Sequence, residues 1–272
     1  MPELATLWPM LVVLLAIGGF AGVVGGVLGV GGGIVLVPAF VYAFTHLGYS
    51  GDQLMQICVA TSLATIIVTS LRSVGAHHRK GAVDWQVLKA WGPMLVSAAG
   101  IGVFVAARVS SMTLQAVFGA LAGLAGLWMA FGKDHWRLGQ SMPRQPVAGV
   151  LAGTVGFLSA LMGIGGGTFG VPLMSLFGMP IHRAIATASG FGVLIAVPSA
   201  IGFLFVPVSD APPWTVGAVN LPAFLVVIGT TLLTTPLGVR LAHAMNPKPL
   251  KRVFAVFIMI MALNMLRKAL GY

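Results

Sequence analysis

From Leu7 to Leu28 the chain runs without one charged side chain, and every residue from Leu11 to Val27 is apolar or glycine. About 20 such residues in a helix cross the roughly 30 Å hydrocarbon core of a bilayer. Runs of this kind recur along the sequence, and no other feature limits the fold as much. Barrel strands alternate apolar and polar residues, which these runs do not. Inside lipid the backbone must satisfy its own hydrogen bonds, and a helix does so within one segment. An all-α polytopic membrane protein is therefore expected. Composition agrees, with 58% of the 272 residues hydrophobic and 7% charged. Residues 1–8 carry Glu3 and no Lys or Arg, and the following run exceeds a secretory h-region, so 7–28 is read as a retained helix.

The chain also repeats itself. Gly29-Val-Gly-Gly-Gly-Ile-Val-Leu-Val-Pro38 matches Gly163-Ile-Gly-Gly-Gly-Thr-Phe-Gly-Val-Pro172, an offset of 163 − 29 = 134. Gly81-Ala-Val-Asp84 matches Gly217-Ala-Val-Asn220, and Leu114 and Phe118 match Leu250 and Phe254, at an offset of 136. The reading is a duplication: a first repeat over 1–132, a linker over 133–146 and a second repeat over 147–272. Each repeat divides into five apolar segments, at 7–28, 34–47, 53–74, 85–107 and 112–132, then 147–163, 168–177, 182–206, 220–244 and 249–270. The second segment of each repeat is too short to span and is expected to be a half-helix or the arm of a re-entrant hairpin.

Each repeat then makes an odd number of crossings, which inverts the second copy. Charge supplies an independent test, because cytoplasmic loops collect Lys and Arg. With the loop at His77-His-Arg-Lys80 inside, parity places Arg72, Arg79, Lys80, Lys89, Lys133, Arg137, Arg144, Arg183, Arg240, Lys248, Lys251 and Arg252 inside. Only Arg108, Arg267 and Lys268 fall outside. The loop equivalent to the one at Arg79, residues 207–219, holds Asp210 and no basic residue. Equivalent loops on opposite sides are what an inverted repeat requires, and both termini are expected outside. The formal charge of +10 is thus a topology pattern, and its scatter in ones and twos is no nucleic-acid stripe.

Gly31, Gly32 and Gly33 interrupt one apolar run and Gly165, Gly166 and Gly167 interrupt its copy, with Pro38 and Pro172 five residues on. Three glycines cost a helix about 1 kcal/mol each against alanine, so a break of this kind persists only inside protein or beside a watery cavity. A helix starting there offers free N–H groups and the positive end of its dipole to an anion. The competing reading is packing, which suits the small-xxx-small spacing of Gly18, Gly22, Gly25, Gly26, Gly29 and Gly33. Hydroxyls within the third segments, Thr61 and Ser62, then Thr187 and Ser189, are candidate ligands, as is Thr168 directly after the second triplet. Each could instead bond a carbonyl of its own helix.

Glu3, Asp52, Asp84, Asp134 and Asp210 all fall at or near loops, leaving no carboxylate to relay protons within the membrane. No Walker lysine follows the glycines, and no His-Glu-x-x-His or Ser-His-Asp set is present, so no catalytic residues, metal or cofactor are expected. The six histidines fall near helix ends, facing headgroups or water, with His182 placed to draw anions to the inner mouth. The single cysteine, Cys58, allows no intrachain disulfide and reads as a core residue.

The two glycine motifs, Ala60-Thr-Ser-Leu63 and His77-His-Arg-Lys-Gly-Ala-Val-Asp-Trp85 together resemble the sulfite exporter TauE/SafE family over nearly the whole chain. The resemblance implies an inner-membrane permease for sulfite, sulfonates or related carboxylates. One departure is Ala188, where the copy of Ser62 has no hydroxyl. The expected function is export of a small sulfur-containing oxyanion, since an inside-negative potential drives an anion outward by about 2.3 kcal/mol per charge per 100 mV. Its expected partners are that anion and the bilayer. A proton- or sodium-coupled importer is the first alternative and an intramembrane enzyme a remoter one.

Overall fold

The computed structural model describes residues 4–132, 136–244 and 247–269, with side chains for 11–132, 136–244 and 255–269. Glu3, Lys133, Asp134 and His135 lie outside the described residues, as do the side chains of Lys248, Leu250, Lys251, Arg252 and Phe254. The first half contributes α1 (Leu4–Leu28), α2 (Gly33–His46), α3 (Leu54–His78), α4 (Trp85–Ala106) and α5 (Ser111–Phe131). The second contributes α6 (Val147–Met162), α7 (Gly167–Leu176), α8 (Ile181–Leu204), α9 (Leu221–Ala244) and α10 (Pro247–Ala269).

Among the described residues the fold is all-α apart from a small hairpin ahead of α9, in which β1 (Thr215–Val216) pairs antiparallel with β2 (Val219–Asn220). Among the described residues α1, α3, α4, α5, α8 and α9 are long and apolar enough to cross a membrane. Ile101 and Phe104 of α4, Leu124 and Phe131 of α5, and Leu225 and Leu233 of α9 point outward, exposed, where only lipid would cover them. At 14 and 10 residues, α2 and α7 reach about 21 and 15 Å, short of the hydrocarbon thickness.

Exchanging the halves preserves the main helix pairings. α1 lies along α9 as α6 lies along α4, α2 meets α3 as α7 meets α8, and α3 pairs with α8 and α5 with α10 across the pseudo-twofold. The direction of α3 and α8 shows the inversion. Gln53, just ahead of α3, donates through Nε2 to Pro207 O and accepts from Ser209 N, so α3 starts where α8 ends. At the other end Arg183 in α8 pairs with Asp84 at 3.0 Å, so α8 starts where α3 ends. Two hydrogen bonds carry the same symmetry: Thr61 Oγ1 accepts from Asn220 N, and Thr187 Oγ1 accepts from Asp84 N.

The long parallel contacts rest on small residues. Gly18, Gly22 and Gly26 of α1 lie against Thr230, Thr234 and Thr235 of α9, and in the counterpart Gly102 of α4 lies against Phe157 and Ala160 of α6. Helices in lipid gain nothing from hiding apolar surface from water, so close backbone approach must hold them. Two differences from the expected segments have local causes. α3 runs to His78 rather than 74 because its last turn is tied to α9, where His77 Nδ1 lies 3.0 Å from His243 Nε2. α4 begins sharply because the Asp84 carboxylate accepts from the amides of Gln86 and Val87.

Candidate functional site

The two glycine breaks meet inside the protein. Gly165 N donates to Val30 O at 3.2 Å, a Cβ on Gly167 would run into the Gly29 carbonyl, and one on Gly33 would run into the Gly163 carbonyl. Gly31 faces Ile66 and Ser70, about midway along α3. Gly32 caps α2 in the left-handed region, with φ 81, and its carbonyl accepts from the amides of Val35 and Leu36. Only a residue without Cβ is at ease in that conformation. The glycines of the first break are therefore covered, Gly32 by Ala21 and Gly31 by Ile66, and where the second half has Thr168 the first has the apolar Ile34.

The second break opens on one side. A cavity of about 500 Å³ reaches from Gly167 and Thr168 past Val171, Pro172 and Ser175 to a mouth that holds Arg137 and His182. Leu28, Val30 and Ile34 line its deep end, and Trp128 and Trp136, in edge contact at 5.7 Å, form part of its wall. The α7 hydrogen-bond ladder starts with Gly170 N donating to Gly166 O, so the amides of Gly167, Thr168 and Phe169 stand ahead of it. Thr168 is 5% exposed and its Oγ1 has no hydrogen-bond partner among the described residues. The Ser175 hydroxyl, seven residues on and on the same face, is likewise buried and unpartnered. A buried hydroxyl ordinarily finds a partner, and one left without a partner beside free helix amides, on a residue that lines a cavity, is placed to serve a ligand. Amide dipoles, two hydroxyls and two basic side chains at the mouth suit an oxyanion.

The structure brings only some of the expected site residues to this cavity. Gly167 and Thr168 line it and Pro172 follows on its wall. Gly166 faces Phe191 and Ile195, and Gly165 is bonded to the first break. Gly31, Gly32, Gly33 and Pro38 do not line it. Thr61 and Thr187 spend their oxygens on the amides of Asn220 and Asp84. Ser62 Oγ donates to the Gly163 carbonyl at 2.7 Å, bracing one glycine turn, and Ala188 leaves the copy at Gly29 without that brace. Ser189 Oγ donates to Ala186 O of its own helix at 2.7 Å.

Sequence reasoning missed Ser175, although its spacing from Thr168 on a short helix was a usable signal. It also missed Trp128, which an apolar helix does not mark off from its lipid-facing neighbours, and Trp136 and Arg137, because a stretch with no periodicity gives no sign of which cavity it flanks. His182 stands at the mouth as expected, but His77 does not face water. It is 1% exposed, held against His243, whose ring stacks on His182, because the last turns of α3 and α9 pack together.

Two inverted repeats whose broken helices meet inside the bundle, beside a cavity open at one end, make the framework of a multi-pass membrane transporter. The relatives agree. Over 259 residues the chain is 29% identical to a "probable membrane transporter protein" of Haemophilus influenzae, covering 93% of this chain and 97% of that one. It is 26% identical to another protein of that description from Methanocaldococcus jannaschii, covering 97% of both. A third, from Bacillus subtilis, is 28% identical over 200 residues, covering 65% of this chain and 72% of that one. No solved structure matches the chain. The family model described as "Sulfite exporter TauE/SafE" matches residues 14–265, and the chain belongs to that family.

Proposed function

We infer that this transporter exports a small sulfur-containing oxyanion, seated at the start of α7 with Thr168 Oγ1 and the leading amides as ligands. The observation that carries the reading is Thr168, which lines a cavity at a helix N-terminus and whose buried hydroxyl has no partner among the described residues. Arg137 and His182 raise the local anion concentration at the mouth. Within the range from sulfite to organic sulfonates and carboxylates, the cavity favours the organic members. Its volume of about 500 Å³ and its tryptophans suit a molecule with a carbon body, as pockets for such ligands span roughly 300–1,000 Å³.

The end bearing Arg79, Lys80, Arg183 and Arg240 is the cytoplasmic one by the basic-loop rule, with 133–146 as the cytoplasmic link between repeats and both termini outside an inner membrane. The cavity then opens inward, and the potential drives a bound monoanion out. In reconstituted proteoliposomes, efflux of a labelled alkanesulfonate should rise when the interior is made negative, with no sodium or proton gradient present. Flux that runs only inward and only with a cation gradient would show a coupled importer instead.

A further inference from the structure

The inner cavity has a counterpart that the repeat predicts and that no expectation from sequence included. A cleft of about 420 Å³ lies at the opposite end of the molecule, between α1, α2 and α10. Under the offsets of the repeat six of its fourteen lining residues, all on α2 and α10, fall on residues of the inner cavity: Pro38 on Pro172, Val41 on Ser175, Tyr42 on Leu176, Asn264 on Trp128, Met265 on Met129 and Lys268 on Gly132. The two spaces therefore share an equivalent wall, formed by the short helix of one half and the last helix of the other, while α1 closes the outer one and α8 the inner one. They approach the crossed glycine turns from opposite ends, one reaching Gly167 and the other Val35.

Their chemistry differs where it matters. Where the inner position is Gly132, the other cleft carries Lys268, and where the inner one has Trp128 it carries Asn264. Lys268 also lines a wider basin of about 1020 Å³ that holds Arg108, Gln53 and Ser209 and opens at that end. Lys268 thus stands at the join of basin and cleft. An ammonium in a mostly apolar cleft attracts an anion more strongly than the same charge in open water, because the surroundings screen it less.

We propose that the cleft at Lys268 is a second seat for the same sulfonate-type anion, occupied at the far end of the route after the anion has left Thr168. This rests on the functional reading above and adds the residue that receives the cargo. In the present state the inner space reaches the start of its broken helix, whereas the outer one stops at Val35, short of Gly33 and Ile34. Exchange of the halves' conformations would open the outer space to Gly33 and close the inner one, and Lys268 would meet the anion on the open side.

Cys58 is the single cysteine and is fully buried, so Cys58→Ala gives a clean background for labelling. Thr168→Cys and Val41→Cys are placed in it singly and exposed to a membrane-impermeant maleimide in intact cells and in inverted vesicles. Asn264→Cys, at an exposed position, stands in for Val41→Cys if that variant folds poorly. The two cysteines should label from opposite faces, and ethanesulfonate should slow both about threefold at concentrations near twice its dissociation constant, whereas neutral ethanesulfonamide should slow neither. Lys268→Gln should abolish protection of the outer cysteine and spare the inner, and Lys268→Arg should keep both. Labelling from one face, or protection of Thr168→Cys alone in the Lys268 parent, overturns the second seat and leaves the functional reading standing. Protection at neither position by any sulfonate, sulfite or carboxylate overturns both.

Discussion

Hydroxyls sort by what they touch. Thr168 Oγ1 has no hydrogen-bond partner among the described residues, so Thr168→Val removes the proposed ligand without orphaning a described partner. Anion affinity should fall about tenfold, the equivalent of about 1.4 kcal/mol for a lost hydrogen bond to a charged group, with the melting temperature unchanged. A thermal-shift titration with alkanesulfonates reads both quantities together. Thr61→Val behaves oppositely. It strands the Asn220 amide, which Thr61 now satisfies in a buried setting, and should cost about 1–3 kcal/mol of stability while leaving affinity intact. Thr187→Val does the same to Asp84 N at the other end, and the two losses should add because the sites are far apart in the fold. If Thr61→Val weakened binding at unchanged stability, the division between clasp and ligand would be lost.

For the helices, the question is which glycines keep backbones close. Gly26 of α1 faces the Thr235 carbonyl of α9, and Gly26→Ala would push two parallel helices apart, at a cost of about 1–3 kcal/mol in line with other overpacked contacts. Gly75 of α3 has open space where a Cβ would go, so Gly75→Ala should gain up to about 1 kcal/mol of helix propensity. Opposite shifts in melting temperature for these two substitutions are the expected result, and a loss at both would contradict the packing. The short helices α2 and α7 are held differently. Their starts lie on each other's glycine turns, so each half supports the break in the other.

At the level of the whole molecule, the inversion makes a statement about sidedness. The 79–82 connection lies at the end where α8 begins, and the 207–213 connection lies where α8 ends. Single cysteines placed in these two connections should label from opposite faces of the membrane. Labelling from one face would mean that the repeats run parallel. The two clasps at Thr61 and Thr187 sit on opposite ends for the same reason.

Sequence alone determined the solvent, the segment count, the duplication and the inversion, since each is a statement about periodicity, length and charge along one dimension. The apolar runs fix the bilayer, and the offset between the two Gly-x-Gly-Gly-Gly motifs fixes the repeat. Tertiary structure decided which break is open. Gly31 to Gly33 and Gly165 to Gly167 read alike, yet the first triplet is enclosed by Ala21, Ile66 and the second break, whereas the second borders a cavity. Ile34 against Thr168 hinted at the difference, but whether a hydroxyl is spent on a neighbour or left facing a space depends on atoms distant in sequence. Thr61 and Thr187 show this from the other side, each claimed by an amide of the opposite repeat.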